Sequence, residues 1–160
     1  MAKDSGTYAE LHAWKGPLMR ACRAGQIDDV VAILEKQLDD DAEDDNYRLL
    51  QDLLYSAARG GQVDMLEWLL DEHPEYPKRE YDLTPLHYAI FSDNQNAFQV
   101  YKALIRRFPA LKEWDLGHMG DPLGVVAVSN DVPFATFLLE NGADATRAHY
   151  LKFPVRQTVS

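Results

Sequence analysis

The chain has 160 residues, with 16 Lys or Arg against 26 Asp or Glu, so its formal net charge is −10. Nucleic acids and anionic lipid surfaces bind basic faces, because binding releases the counterions around their phosphates, so neither is expected as a partner. Hydrophobic residues make up 46% of the chain and charged residues 26%, a composition typical of a globular protein with enough apolar side chains for a core.

Cysteine content and the chain ends bear on the cellular compartment. A single cysteine, Cys22, can neither form an intramolecular disulfide nor supply a thiolate zinc site. The first residues carry no apolar stretch of signal-peptide length, and no segment approaches the ~18 apolar residues of a membrane span. These features predict an intracellular protein, located in the cytoplasm, the nucleus or both.

The first predicted element is a short helix within residues 1–15. Thr7 and Glu10 have the three-residue spacing of a capping box, which is typical of a helix start. The apolar side chains of this helix would be Tyr8, Leu11 and Trp14. We expect residues 1–15 to be an N-terminal capping segment for the array that follows.

A pattern of two short apolar segments joined by a turn then recurs four times. The first copy, residues 16–34, reads GPLMRACRAG and then IDDVVAIL; the second, residues 57–70, reads AARGGQVDMLEWLL. The third copy opens with DLTPLHYA at residues 82–89, and the fourth begins DPLGVVA at residue 121 and ends FATFLLENGAD at residue 144. A fixed repeat of this kind decides the architecture before any local structure is assigned.

Two further segments lie between or after these copies. Six of the seven residues at positions 39–45 are acidic, and they lack the alternating ligands and central Gly of a calcium loop, so we expect a solvated loop. The tail, residues 148–160, carries three bulky apolar side chains and is expected to be a C-terminal capping tail. Caps at both ends and the Met1 start favour a complete chain.

The strings T-P-L-H-x-A at residues 84–89 and L-L-x-x-G-A-D at residues 138–144 are similar to the signatures of the ankyrin-repeat family. The resemblance covers residues 16–147 and implies an all-α solenoid of about four helix-turn-helix repeats with β-hairpin-like finger loops. Local chemistry agrees with it, because Thr84 can cap a helix and Pro85 suits its first turn. Alanines at the helix contacts would allow close packing, and the short helices must stack to bury their apolar faces.

Candidate catalytic and metal-binding residues are not found. The five histidines include no pair at the i, i+4 spacing of a metal-binding helix, and no Gly-rich phosphate loop or nucleophile elbow is present. The structural signature is Thr84, Pro85, Leu86 and His87, and the resemblance implies that the His87 imidazole ties neighbouring turns together. Cys22 occupies a small-residue position and is expected to be buried. We therefore predict no enzyme activity, no metal and no cofactor.

The resemblance also implies a concave groove, lined by the first helix of every repeat, that binds a protein or peptide. The residues expected in this groove are Arg20, Arg23, Ser56, Arg59, Tyr88, Phe91, Ser92, Val125, Val128 and Ser129. The residues expected on its rim are Tyr81, Asp82, Leu83, Trp114 and His118. Because arginines lie in the N-terminal half and apolar side chains in the other, the expected partner carries acidic residues followed by apolar ones.

This assignment predicts a non-catalytic adaptor or scaffold, with a monomer favoured, and two alternatives stay open. In the first, the arginines pair with Asp52 or Asp82, and the next hairpin covers Tyr88 and Phe91. In the second, Tyr88, Phe91, Trp114 and His118 form an aromatic and histidine pocket for a small molecule or an enzymatic substrate.

Overall fold

The computed structural model describes residues 12–38, 41–92, 96–117 and 120–145. Within these ranges, eight α-helices form four consecutive helix-turn-helix units, and no β-strand occurs. The helices are α1 (Lys15–Arg23), α2 (Ile27–Gln37), α3 (Glu43–Arg59), α4 (Val63–Glu72), α5 (Thr84–Ile90), α6 (Ala97–Arg107), α7 (Pro122–Val128) and α8 (Val132–Glu140). Two 3₁₀ helices, η1 (Glu80–Leu83) and η2 (Pro109–Glu113), lie on either side of the third unit.

The turns inside three of the units share one backbone geometry. Gly25, Gly61 and Asn130 occupy the same repeat position and have φ angles of 76°, 70° and 55°, which lie in the left-handed region. The amide of each donates a hydrogen bond, 3.1–3.2 Å long, to the carbonyl three residues earlier. Because glycine has no Cβ, it adopts this conformation at little cost, and Asn is the commonest substitute.

Small residues bring the first helices of the first three units close together. Helix α1 packs against α3, and α3 packs against α5, through a buried row of Ala21, Cys22, Ala57, Ala58 and Ala89. A Cβ added at Gly60 would lie 2.3 Å from the carbonyl oxygen of Arg23, so backbone meets backbone at this contact. The Cys22 thiol donates to the Leu53 carbonyl at 3.2 Å, and burial raises its pKa to about 12. The expected burial of Cys22 is therefore confirmed.

Aromatic rings separate the third and fourth units instead. Phe134 of α8 is fully buried, and the centroids of Phe91, Phe98 and Tyr101 lie 5.2–5.8 Å from its own. Phe137, one turn further along α8, packs edge-on against Phe98 at 5.3 Å. These rings form what we call the aromatic interface: Phe91, Phe98, Tyr101, Phe134 and Phe137.

The connections between units differ from the β-hairpin fingers expected from the sequence. Helix α3 begins at Glu43, inside the acidic run, so the last three residues of that run belong to the first turn of a 17-residue helix rather than to a solvated loop. Acidic side chains suit this position because the helix dipole is positive there. The second connection ends in η1 and the third begins with η2, and between residues 114 and 121 one hairpin-like bond joins the Leu116 amide to the Gly120 carbonyl at 2.6 Å.

Thr84 is not the cap of α5, contrary to the sequence-based expectation. Its backbone already has helical angles, φ −60° and ψ −49°, because η1 leads directly into α5. The fourth unit does have side-chain caps, since the carboxylates of Asp121 and Asp131 accept from the amides of Gly124 and Phe134 at 2.7 and 3.1 Å. Chain entry into the helix therefore decides whether a polar residue caps it.

Most of the predicted N-terminal capping segment and all of the predicted C-terminal capping tail lie outside the described residues. Residues 1–11 and 146–160 are not described, whereas residues 12–14 form a turn that leads into α1. No helix of the described ranges combines the length and the apolar character that crossing a bilayer requires.

Candidate functional site

Three exposed arginines lie on the first helices of the first two units. Arg20 and Arg23 belong to α1, and Arg59 is the last residue of α3. None of the three lies within salt-bridge distance of a carboxylate in the part of the chain described. Among the described residues, the three guanidinium groups therefore have no carboxylate partner.

The alternative that Asp52 or Asp82 neutralises these arginines is wrong for the described residues. The Asp82 carboxylate accepts hydrogen bonds from the Tyr47 hydroxyl at 2.6 Å and from the Arg79 amide at 3.0 Å. Burial raises the pKa of Asp52, and the cation that opposes this rise is Lys15. Neither carboxylate lies within salt-bridge distance of the three arginines.

Arg23 and Arg59 occupy the same position of consecutive repeats, at the ends of α1 and α3. A Cβ at Gly60 would lie 3.0 Å from Cγ of Arg23, so the aliphatic stem of this arginine runs across the adjacent helix. Between them, the half-buried Ser56 hydroxyl donates to the Met19 sulfur at 3.4 Å. We call Arg20, Arg23 and Arg59 the arginine patch.

The predicted groove residues of the last two units are mostly apolar. Tyr88 and Val125 are half-buried, whereas Val128 is 75% exposed. The Ser92 hydroxyl donates to the Ala89 carbonyl at 3.0 Å, and the exposed Ser129 hydroxyl donates to the Val125 carbonyl at 3.3 Å. This half of the predicted groove therefore presents apolar surface and hydroxyls that are bonded to backbone.

Phe91 is half-buried, and its ring faces the space between the third and fourth units. Its ring packs against His87, Tyr101 and Phe134 with centroid distances of 5.4, 5.9 and 5.8 Å. It fills the space between the third and fourth units because no small residue closes that gap.

Two of the predicted rim residues are buried rather than exposed on a rim. Asp82 and Leu83 are each only 5% exposed, because η1 folds them against α3 and α5. Tyr81 is 60% exposed, with the Arg79 guanidinium 4.9 Å from its ring centroid. Trp114 is half-buried. His118 lies outside the described residues.

His87 connects neighbouring turns by ring packing. Phe91 and Trp114 pack edge-on against the imidazole at centroid distances of 5.4 and 6.1 Å. The side chain is 1% exposed, and its buried Nε2 atom has no hydrogen-bond partner among the described residues. Burial lowers its pKa to about 4, although the negative charge of Asp115 opposes the shift, so the ring is neutral at pH 7.

Of the four residues of the second alternative, the structure describes Tyr88, Phe91 and Trp114. Phe91 belongs to the aromatic interface, and Trp114 borders a cavity of about 70 Å³ whose lining includes neither Tyr88 nor Phe91. Across the four described ranges, no three His, Cys, Asp or Glu side chains are grouped as metal ligands would be.

A polar network beside η1 was not predicted from the sequence. The Tyr47 hydroxyl donates to Asp82, at 2.6 Å, and accepts from the Lys78 amide at 3.0 Å. The Tyr76 hydroxyl donates to the Asp82 carbonyl at 2.8 Å, and burial raises the pKa of both tyrosines. Because Tyr47 and Asp82 are 35 residues apart, no local pattern could have paired them.

Comparison with known proteins defines the family. A family model described as "Ankyrin repeats (3 copies)" matches residues 18–107 and also residues 54–149, which together span most of the chain. The protein therefore belongs to the ankyrin-repeat family, whose repeats are in general protein-protein interaction modules and typically non-catalytic. No curated protein and no solved structure matches the chain.

Proposed function

We propose that this protein is a non-catalytic adaptor or scaffold that binds a protein or peptide segment in the groove of its repeats. The observation that carries the proposal is the arginine patch: three exposed guanidinium groups without a carboxylate partner among the described residues, in a chain of net charge −10. Arginine is enriched at interface centres, and a local cationic patch steers acidic segments to one place.

The partner's chemistry follows from the two halves of the groove. Acidic side chains of the partner pair with the arginine patch, and apolar ones lie towards Val125 and Val128. Asp82 and Leu83 are buried, and the half-buried Phe91 ring packs between the third and fourth units, so the proposed groove and rim rely on the remaining predicted residues. We propose that the protein works as a monomer in the cytoplasm, the nucleus or both, with residues 16–147 as the repeat array and caps at 1–15 and 148–160.

The direct test is charge reversal in the patch. The double variant Arg23→Glu and Arg59→Glu should bind a fluorescent peptide of four acidic and then four apolar residues at least tenfold more weakly, measured by anisotropy. The matched control is Lys36→Glu with Arg106→Glu, which reverses two exposed charges on second helices. Binding should also weaken with added salt, because exposed charge pairs are screened.

A second pair of variants tests the apolar half. Val128→Asp should weaken binding of the same peptide, whereas Val132→Asp, at an equally exposed valine on α8, should not. Equal affinity of the arginine double variant and its control would refute the groove assignment.

A further inference from the structure

A cavity of about 440 Å³ lies beside the first turns of α3, away from the arginine patch. Helix α2 and α3 supply its apolar lining, and the loop after α4 closes one side. The apolar side chains are those of Leu34, Leu38, Leu49, Leu50 and Leu53. Leu38 is 41% exposed at the mouth, whereas the three leucines of α3 are buried at the floor. This volume is within the range of ligand-binding clefts.

The wall of this cavity is held in place before any ligand arrives. Tyr47 and Lys78, which both line the cavity, are joined by the hydrogen bond from the Lys78 amide to the Tyr47 hydroxyl at 3.0 Å. The same hydroxyl donates to Asp82, and the buried Tyr76 ring lies 6.2 Å from that of Tyr47. Preorganised walls reduce the entropy that binding costs.

The charges around the mouth are predominantly negative. Glu43 and Glu75 line it, and Asp44 and Asp45 are exposed on the adjacent first turn of α3. The cation at the mouth, Lys78, lies 3.6 Å from Glu43 and 4.5 Å from the centre of the Tyr47 ring. His73 lies 3.0 Å from Glu75. An apolar cleft with an acidic rim fits apolar side chains flanked by basic ones.

This cavity and the arginine patch are separate sites, because no arginine of the patch lines the cavity, and Glu43 at its mouth lies at the opposite end of α3 from Arg59. Glu43 begins the helix and Arg59 ends it. At a rise of 1.5 Å per residue, this separation is about 24 Å along the helix axis. The charge preferences of the two ends are also opposite.

We propose that this cavity is a second docking site, which takes a protein segment whose apolar side chains are flanked by Lys or Arg. The leucines of α2 and α3 receive the apolar side chains, and Glu43 and Glu75 pair with the basic ones. Such a segment presents both types on one face when it is an amphipathic helix.

The test uses two synthetic 14-residue peptides with one leucine pattern at helical spacing, with Lys at the polar positions of one and Glu at those of the other. Isothermal titration calorimetry with the full-length Arg23→Glu, Arg59→Glu variant, in which the arginine patch no longer attracts acidic peptides, should show binding of the Leu/Lys peptide at least tenfold tighter than that of the Leu/Glu peptide. Leu38→Asp with Glu75→Lys should weaken the Leu/Lys complex at least tenfold. Both residues are exposed, so the variant should keep its unfolding temperature.

The matched control variant carries Val132→Asp with Glu140→Lys, the same changes at exposed positions of α8. It should bind the Leu/Lys peptide like the unchanged protein, and so should the Arg23→Glu, Arg59→Glu variant. The proposal is overturned when the Leu/Lys peptide does not bind, when both peptides bind equally, or when the cavity variant and its control bind alike. These outcomes leave the groove proposal untouched, because its test uses a different peptide and different residues.

Discussion

The molecule joins its repeats in two different ways. Between α1, α3 and α5, small side chains allow the helices to pack so closely that the Arg23 backbone meets Gly60. Between the third and fourth units, the space is filled by the Phe134 ring and the four other rings of the aromatic interface. One repeat pattern therefore supports both interfaces, but stability depends on backbone approach in the first and on ring burial in the second.

The largest effect should come from removing the ring at the centre of the aromatic interface. Phe134→Ala leaves a cavity in a fully buried site and should lower the free energy of unfolding by about 3–5 kcal/mol, measured by urea denaturation. The control is Leu139→Ala on the same helix, where the side chain is exposed and the loss should stay below about 1 kcal/mol. Similar losses in the two variants would contradict a separate aromatic core.

Acid should weaken the aromatic interface through His87. The pKa of this imidazole is about 4 in the folded chain and 6.5 for an unperturbed histidine, which represents the unfolded chain. The unfolded chain therefore binds more protons between these two pH values. The contribution of neutral His87 to the free energy of unfolding is therefore complete above pH 6.5 and is lost as the pH falls towards 4. The full loss is on the order of 3 kcal/mol.

The measurement for His87 is urea denaturation at a series of pH values. His87→Leu should remove much of the pH dependence between 6.5 and 4, whereas His73→Gln, at a more exposed histidine, should retain it. A slope that is the same in both variants would show that other groups cause it.

A smaller effect should follow from enlarging the close-packed interface. Gly60→Ala places a methyl group 2.3 Å from the Arg23 carbonyl oxygen, so α1 and α3 must separate, at a cost of about 1–3 kcal/mol. Ser129→Ala at the same position of the fourth unit is exposed and should be nearly neutral in the same denaturation experiment. If both variants were equally stable, the backbone approach at Gly60 would not matter to stability.

The sequence predicted those features that local patterns encode. The four helix pairs, the glycine turns at Gly25 and Gly61, and the burial of Cys22 each follow from residue types at short spacing. The start of α3 was missed because an acidic run reads equally well as a loop or as the first turn of a helix.

Side-chain direction was harder to predict than helix position. The repeat register placed Phe91 at the end of the first helix of its unit, but it did not show that the ring would pack against Phe134, 43 positions later. Asp82 was expected on the rim because no local pattern shows that its side chain bonds to Tyr47, which is 35 residues away. Predicting both positions requires knowing which distant side chain fills the adjoining space.

The unbroken length of α3 sets a fixed distance between its two ends. A rigid rod of about 24 Å acts as a ruler, because its ends cannot approach each other to suit a ligand. A single partner chain that reached from Glu43, at the mouth of the leucine cavity, to Arg59 would need at least about seven extended residues between these two contact points. The spacing of basic and acidic motifs along a candidate partner is therefore a selection criterion that needs only its sequence.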